Sequence, residues 1–508
     1  MRFRTITVIS VALLLFGWSA TAAIPPTKAQ RTVEEVCSRP PLATSVVGVF
    51  AVRMDGDTLA NYNSRVRLVP ASNMKLITTG LALNNLGADF RFETRLGYSG
   101  EIRDGVLCGD LYIIGGGDPT TGSKSDCAEP VAATFASWQK LLAQAGISSI
   151  DGRIIADPRY FDTVTPEGMG WTYDDLGTNY GAGPVGLNFF ENAQNFLITP
   201  GAEGSAPNIS PRYPDTPWMS WSNHALTGKA RTRNTVYYIN SHLAPIGEFA
   251  GSFPSDRKGY TLECSNRFAP YTCAYYFYNF LKDRGIEAKG GYADISPSGY
   301  VRTAPGVLDE GEKARKTDEL TVIGSTFSPR LALIARDTNC ESDNFFAETL
   351  LKTLAVSKGR SSQYDSCVSA AEDALSALGL NPASGCRIFD GSGLSRKNFV
   401  SASFFVNFLK KMLSSPVSEA YIASLPHPGG KGTLEFKFPA ADEGMRSRIR
   451  MKSGSMNGIL CYSGYILSAD GDPAHTVVFS VLTNNSVGSS WVITPPIDRI
   501  IEALAAEN

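Results

Sequence analysis

The sequence predicts an α/β (α+β) protein, one sheet flanked by helices with β-rich domains inserted into it, and three observations carry that prediction. Strand-like runs lie near both ends of the chain, at Ser45 to Arg53 and Thr58 to Tyr62, and again at Arg448 to Lys452, Leu460 to Leu467 and Val477 to Thr483. Helical patterns follow the first pair and precede the last three, which suits a sheet whose first and last strands come together under helices on both faces. Between about residues 87 and 306 the texture changes to short aromatic and β-branched runs broken by Gly, Pro, Asp and Asn, the pattern of β-rich inserted domains.

In chain order, Arg2 and Arg4 precede an apolar run from Val8 to Trp18 and the small residues Ala20-Thr21-Ala22-Ala23. That is the layout of a cleaved secretion signal over residues 1–23, the apolar part being too short for a comfortable span. A soluble protein outside the cytoplasm is the expectation. Residues 24–86 read as a helix, the two strands, and a helix opening at Ser72. The inserted part, 87–306, reads as two domains, with strands at Arg91 to Tyr98, Gly105 to Ile114, Asn195 to Thr199 and Thr235 to Ile239 and a helix from Pro130 to Gly146. Gly115 to Gly117 makes a tight turn after a strand; no Lys-Ser/Thr follows to make it a phosphate loop. A charged, Gly-containing connection from Gly306 to Lys316 returns to the first domain, completed by 307–508. There, helices are expected around Pro329 to Arg336, from Asn344 onward, at Ser369 to Leu378, Ser403 to Leu413 and Pro496 to Ala505.

Composition excludes several classes. With 47 basic against 49 acidic side chains and a net charge of −2, the chain has no footprint for nucleic acid or for an anionic membrane. Its nine cysteines form no Cys-x-x-Cys pair and no zinc-finger spacing, so no metal is expected. In an oxidising compartment disulfides are the default, with Cys108/Cys127, Cys264/Cys273 and Cys367/Cys386 as locally plausible pairs. Four histidines and no Gly-x-Ser-x-Gly elbow argue against a Ser-His-Asp hydrolase.

The chemistry concentrates in three short motifs. Ser72-Asn73-Met74-Lys75 opens an apolar helical segment, so the Ser72 hydroxyl and Lys75 amine share a face. Ser-x-x-Lys recurs at Ser137 to Lys140 and Ser255 to Lys258, but only the first follows a pair of strands and continues as an apolar helix. Ser342-Asp343-Asn344 then stands at the mouth of a second helix, and Lys452-Ser453-Gly454 lies in a strand. In this order the three are the motif set of the penicillin-recognising serine enzymes.

The 270 positions between Ser72 and Ser342 leave room for a large insertion. With that insertion, the chain resembles the low-molecular-mass penicillin-binding proteins of the D-alanyl-D-alanine carboxypeptidase/endopeptidase type (class C, type 4; peptidase family S13). Further resemblance lies in Leu86-Gly87-Ala88-Asp89-Phe90-Arg91-Phe92, Gly109-Asp110-Leu111-Tyr112, Gly115-Gly116-Gly117-Asp118-Pro119, Asp390-Gly391-Ser392-Gly393-Leu394-Ser395-Arg396 and Gly432-Thr433-Leu434. The resemblance implies the antiparallel-sheet fold of serine β-lactamases and transpeptidases for the catalytic domain.

It also implies roles. Ser72 is expected as nucleophile and Lys75 as its base, its amine kept partly neutral by burial and by Lys452 nearby. Ser342 would relay protons to the leaving nitrogen, and Asn344 would orient Lys75 and hold the substrate backbone. The Ser72 and Ser455 N–H groups would form the oxyanion hole, and Gly454 would let a substrate strand approach. Lys452 and the Ser453 hydroxyl would bind the peptide's C-terminal carboxylate. Arg396, with Asp175 and Tyr180, matches positions that bind the free carboxylate of the peptide side chain. The third motif reads Lys-Ser-Gly where the family more often has Lys-Thr-Gly; the hydroxyl is retained. The expected substrates are peptidoglycan peptides ending in D-Ala-D-Ala and their cross-links, with β-lactams as covalent inhibitors and no cofactor. A β-lactamase or esterase on the same scaffold, and a non-catalytic peptidoglycan-binding protein, remain the alternatives.

Overall fold

Val477, Phe479 and Val481 face one way from their strand and Val478 and Leu482 the other, and both sets are buried. A strand apolar on both faces belongs at the centre of a sheet covered on both sides. The computed structural model, which describes residues 26–162, 170–306 and 311–508, shows this. The strands Thr58–Tyr62, Val46–Arg53, Val477–Asn484, Ile459–Ile466 and Ile449–Met456 lie side by side in that order, every pairing antiparallel. The first and last strands of the chain thus meet in one sheet, as expected. The predicted secretion signal and part of the connection after Gly306 fall outside the described residues.

One face of this sheet is covered by the helices Lys28–Cys37 and Ser490–Ala505, which bring Ala29, Val33, Ile497, Ile500 and Ile501 onto it. The other face carries the larger cluster, built from Met74–Leu86, Asn344–Ser357, Tyr364–Ala377 and Ala402–Leu413. Met74–Leu86 is buried along nearly its whole length, from Met74 to Leu83. Its lysine therefore cannot be a solvated surface residue.

Five strands of the segment 87–306 and one from beyond it, Thr321–Phe327, form a six-stranded mixed sheet in the order Val301–Arg302, Tyr292–Ile295, Ile154–Asp157, Leu111–Ile114, Glu93–Tyr98 and Thr321–Phe327. Helices Val131–Gln144 and Ala269–Lys282 pack on it through Phe135, Trp138 and Phe277. A separate cluster around Phe196, Tyr238 and Phe249 holds smaller sheets together. The predicted strand Gly105 to Ile114 is two strands in two different sheets, Val106–Cys108 and Leu111–Ile114, separated by a turn through Gly109. A Cβ at Gly109 would sit 1.9 Å from the Ser99 carbonyl oxygen.

The expected disulfides are not there: all nine cysteines carry free thiols. Cys264 and Cys273 sit in different hydrophobic clusters, and Cys367 donates instead to the Ser362 carbonyl. Cys108 bonds back to its own strand at Val106, while Cys127 lies beside Ser125 and Asp337. Burial pushes the Cys127 and Cys367 thiols up to about 12, as expected of inert apolar side chains. A chain with cores this large does not need staples.

Candidate active site

Ser72 sits on a short 3-10 turn, Ala71–Asn73, that leads directly into the helix Met74–Leu86. Ala71 has φ +47° and is fully buried, a conformation that costs an L-residue about 1–3 kcal/mol and persists only where the surroundings enforce it. The enforcing neighbours are two glycines. A Cβ at Gly393 would lie 1.9 Å from the Ala71 carbonyl oxygen, and one at Gly454 would lie 2.9 Å from the Ser72 nitrogen and 2.7 Å from the Pro70 oxygen. Gly454 is expected from the resemblance to admit a substrate strand; in the structure the space its Cβ would need belongs to the Ser72 turn. The glycine thereby brings residues 454–455 alongside the Ser72 amide.

Three motifs distant in sequence converge here. The Lys75 ammonium donates to Ser72 Oγ (3.0 Å), Asn344 Oδ1 (2.6 Å) and the Ser392 carbonyl oxygen (2.8 Å). Lys452 Nζ donates to Ser342 Oγ (2.9 Å) and to its neighbour's carbonyl at Ser453 (2.8 Å). Ser342, with φ +61°, is the second non-glycine residue held in the left-handed region within the site. Asp343 caps the following helix by accepting from the Phe346 N–H (2.7 Å), which fixes Asn344 at that helix's first turn.

Neither lysine is exposed. Burial pushes the Lys75 amine down to about 8, against the pull of the carboxylates Asp343, Glu348 and Asp390, which hold it from falling further. Lys452 is pushed well below the ordinary lysine range, first by burial and then by the positive charge of Lys75. An amine near 8 is neutral in a useful fraction at physiological pH, and it already touches the hydroxyl it would deprotonate.

The loop Asp390 to Asn398 lies beneath this cluster and contributes more to it than Arg396. Glu348, one turn after Asn344, accepts from the Ser392 and Gly391 N–H groups (2.7 and 3.1 Å) and from the Tyr364 hydroxyl (3.1 Å). Asp390 accepts from Gly393 and Ser395 N–H, Asn398 Nδ2 and the Trp171 indole. These bonds hold the Ser392 carbonyl under Lys75. The signal for Glu348 was present, since positions i and i+4 share a helix face and a carboxylate inside a helix buried from Phe345 to Ala355 needs partners.

A cleft of about 320 Å³ opens over Ser72, and Asn344, Ser455, Arg396, Asp175 and Tyr180 line it together. The residues assigned to substrate side-chain binding thus fall at the nucleophile's own cleft. Arg396 is exposed on the Asp390 loop. Asp175 is tied into its turn by the Thr172 hydroxyl (2.6 Å), and the Tyr180 carbonyl accepts from Asn344 Nδ2 (3.1 Å), joining the inserted segment to the site. Ser453 is half-buried on the strand and Ser455 exposed. The other two Ser-x-x-Lys sequences lie elsewhere: Ser137 and Lys140 are on the helix Val131–Gln144 of the inserted part, and Ser255 follows the strand Ser252–Pro254. A serine at such a cleft, with a depressed lysine and a cation-bonded second serine beside it, can perform acyl transfer.

Comparison with known proteins agrees with this chemistry. The profile of the D-Ala-D-Ala carboxypeptidase 3 (S13) family matches residues 29–502. A D-alanyl-D-alanine carboxypeptidase of Actinomadura sp. (strain R39) is 29% identical over 484 residues, covering 91% of this chain and 82% of its own length. The crystal structure of penicillin binding protein 4 from Haemophilus influenzae superposes with a TM-score of 0.76 at 20% identity, covering 94% of this chain and 98% of that one. A predatory endopeptidase of Bdellovibrio bacteriovorus, solved with its immunity protein, gives a TM-score of 0.51 at 14% identity, covering 91% and 94%.

Proposed function

The chain belongs to the D-Ala-D-Ala carboxypeptidase 3 (S13) family, and from that premise we propose that it is a serine D-Ala-D-Ala carboxypeptidase, with D,D-endopeptidase activity on peptide cross-links, working through an acyl-enzyme on Ser72. The observation that carries this reading is the single hydrogen-bonded cluster of Lys75 with Ser72 and Asn344. Neutral Lys75 takes the Ser72 proton as Oγ attacks the carbonyl carbon of the penultimate D-alanine. The oxyanion forms between the Ser72 and Ser455 N–H groups. Collapse breaks the C–N bond, and a proton passes from the lysines through Ser342 to the leaving nitrogen. Water then attacks the ester, with Lys75 again accepting a proton, and restores Ser72.

Lys452 and Ser453 hold the terminal carboxylate, while Arg396, Asp175 and Tyr180, which line the cleft over Ser72, receive the peptide side chain. These steps use side chains and backbone alone. β-Lactams enter as covalent inhibitors through the same ester. The site of action is the cell wall, so we place the protein in the periplasm or otherwise secreted, consistent with the signal-like N-terminus. Among the described residues no helix is long and apolar enough to cross a membrane.

D-Alanine release from a D-Ala-D-Ala-terminated peptide tests the reading. Because the neutral amine is the active base and its pKa lies near 8, kcat/KM should rise as pH increases, with an apparent pKa near 8 and a plateau above it. A flat profile between pH 6 and 9 would remove Lys75 from the base role.

A further inference from the structure

A second cavity, of about 430 Å³, adjoins the Ser72 cleft; Asn344 and Tyr180 line both. The division between the two is chemical. Ser72, Ser455 and Arg396 face the first, where the acyl group sits, whereas Ser342, the proton donor to the leaving nitrogen, faces the second. A single D-alanine leaving group has no use for a space on the scale that encloses a whole ligand, about 300–1,000 Å³.

The far wall comes from the inserted segment. Glu191 lines the cavity while only 8% exposed, and it stands in the middle of three consecutive residues, Phe190, Glu191 and Asn192, with φ of +52°, +55° and +50°. Its bonds from the Ser123 hydroxyl (2.6 Å) and the Lys124 N–H (3.3 Å) both fall on Oε1; among the described residues Oε2 receives none. The cavity's two lysines are already engaged, Lys124 with Glu263 and Lys431 with Asp126. An occupant offering an N–H donor suits the wall at Glu191.

We propose that this cavity is the leaving-group subsite for cross-link cleavage, taking the peptide-length, amine-bearing strand released from Ser342, with Glu191 Oε2 accepting an N–H of that strand. The proposal rests on the acyl-transfer reading above. In the step it serves, the C–N bond breaks, the acyl group stays on Ser72 Oγ, and the protonated amine departs into the cavity with its chain attached.

The test compares kcat/KM for a short peptide ending in D-Ala-D-Ala with that for a cross-linked dimeric stem peptide. The variants are Glu191→Gln, which keeps the Oε1 acceptor, and Asp126→Trp, which fills the cavity from an exposed position. The ratio of cross-linked to short-peptide activity should fall about fivefold in the first and at least tenfold in the second. An unchanged ratio, whether both activities hold or both drop together, overturns the subsite. If the wild-type protein cuts the short peptide and not the cross-link, the subsite falls alone; if it cuts neither, the acyl-transfer reading falls first.

Discussion

Replacing Ser72 by alanine should reduce D-alanine release by at least about 10⁴-fold, the scale on which acyl-transfer enzymes respond to losing the nucleophile, while leaving the fold intact. Ser72 Oγ accepts one bond from Lys75 and is half-buried, and Lys75 keeps its bonds to Asn344 and the Ser392 carbonyl. The stability change should therefore stay within about 1 kcal/mol. Steady-state rates beside a thermal unfolding scan check both halves. Turnover near the wild-type rate would contradict the assignment, and a collapse of the melting transition would show that the turn itself depends on the hydroxyl.

Lys75→Met carries the second largest expected effect. The substitution keeps an unbranched chain out to Cε and removes the amine, so kcat/KM should fall by about 10²–10⁴-fold, the range of a lost general base. Stability moves by opposing terms. The buried ammonium's desolvation disappears, but the Ser392 carbonyl and Asn344 Oδ1 lose their donor, at about 1–3 kcal/mol for an orphaned buried acceptor. The neighbouring carboxylates Asp343, Glu348 and Asp390 also lose a compensating charge. The loss of activity should thus exceed anything the unfolding scan accounts for. A variant still folded and still fully active at pH 8 would leave Lys75 a structural residue.

The three motifs were legible because acyl transfer needs particular side chains at fixed spacing, and each stands at an element's start or along a strand where spacing fixes direction. The central sheet was legible for a similar reason: its strands are β-branched and bounded by turn residues. The helix Ala269–Lys282 escaped, since its run of Tyr and Phe carries the composition of a strand; Pro270 in its first turn and its apolar positions packed on one sheet make it helical. The terminal helix starts at Ser490 and not at Pro496, because Pro495 and Pro496 interrupt bonds only toward the exposed residues Trp491 and Val492. The return strand Thr321–Phe327 also went unseen; it alternates poorly and gains its place only by pairing with Glu93–Tyr98. What joins Lys75 to Ser392 and Glu348 is a tertiary arrangement that no local pattern announces. The disulfide expectation failed for a physical reason too, since compartment chemistry permits a bond only where two sulfurs meet.

The central claim is that Ser72 is an acylated nucleophile, and intact-protein mass after brief exposure to benzylpenicillin measures it directly. The wild-type protein should gain one equivalent of the lactam as a lasting adduct, and the Ser72→Ala protein none. Consumption of the lactam with no lasting adduct would move the assignment to a β-lactamase on the same scaffold; an adduct that survives in Ser72→Ala, or no reaction with either protein, would contradict the account.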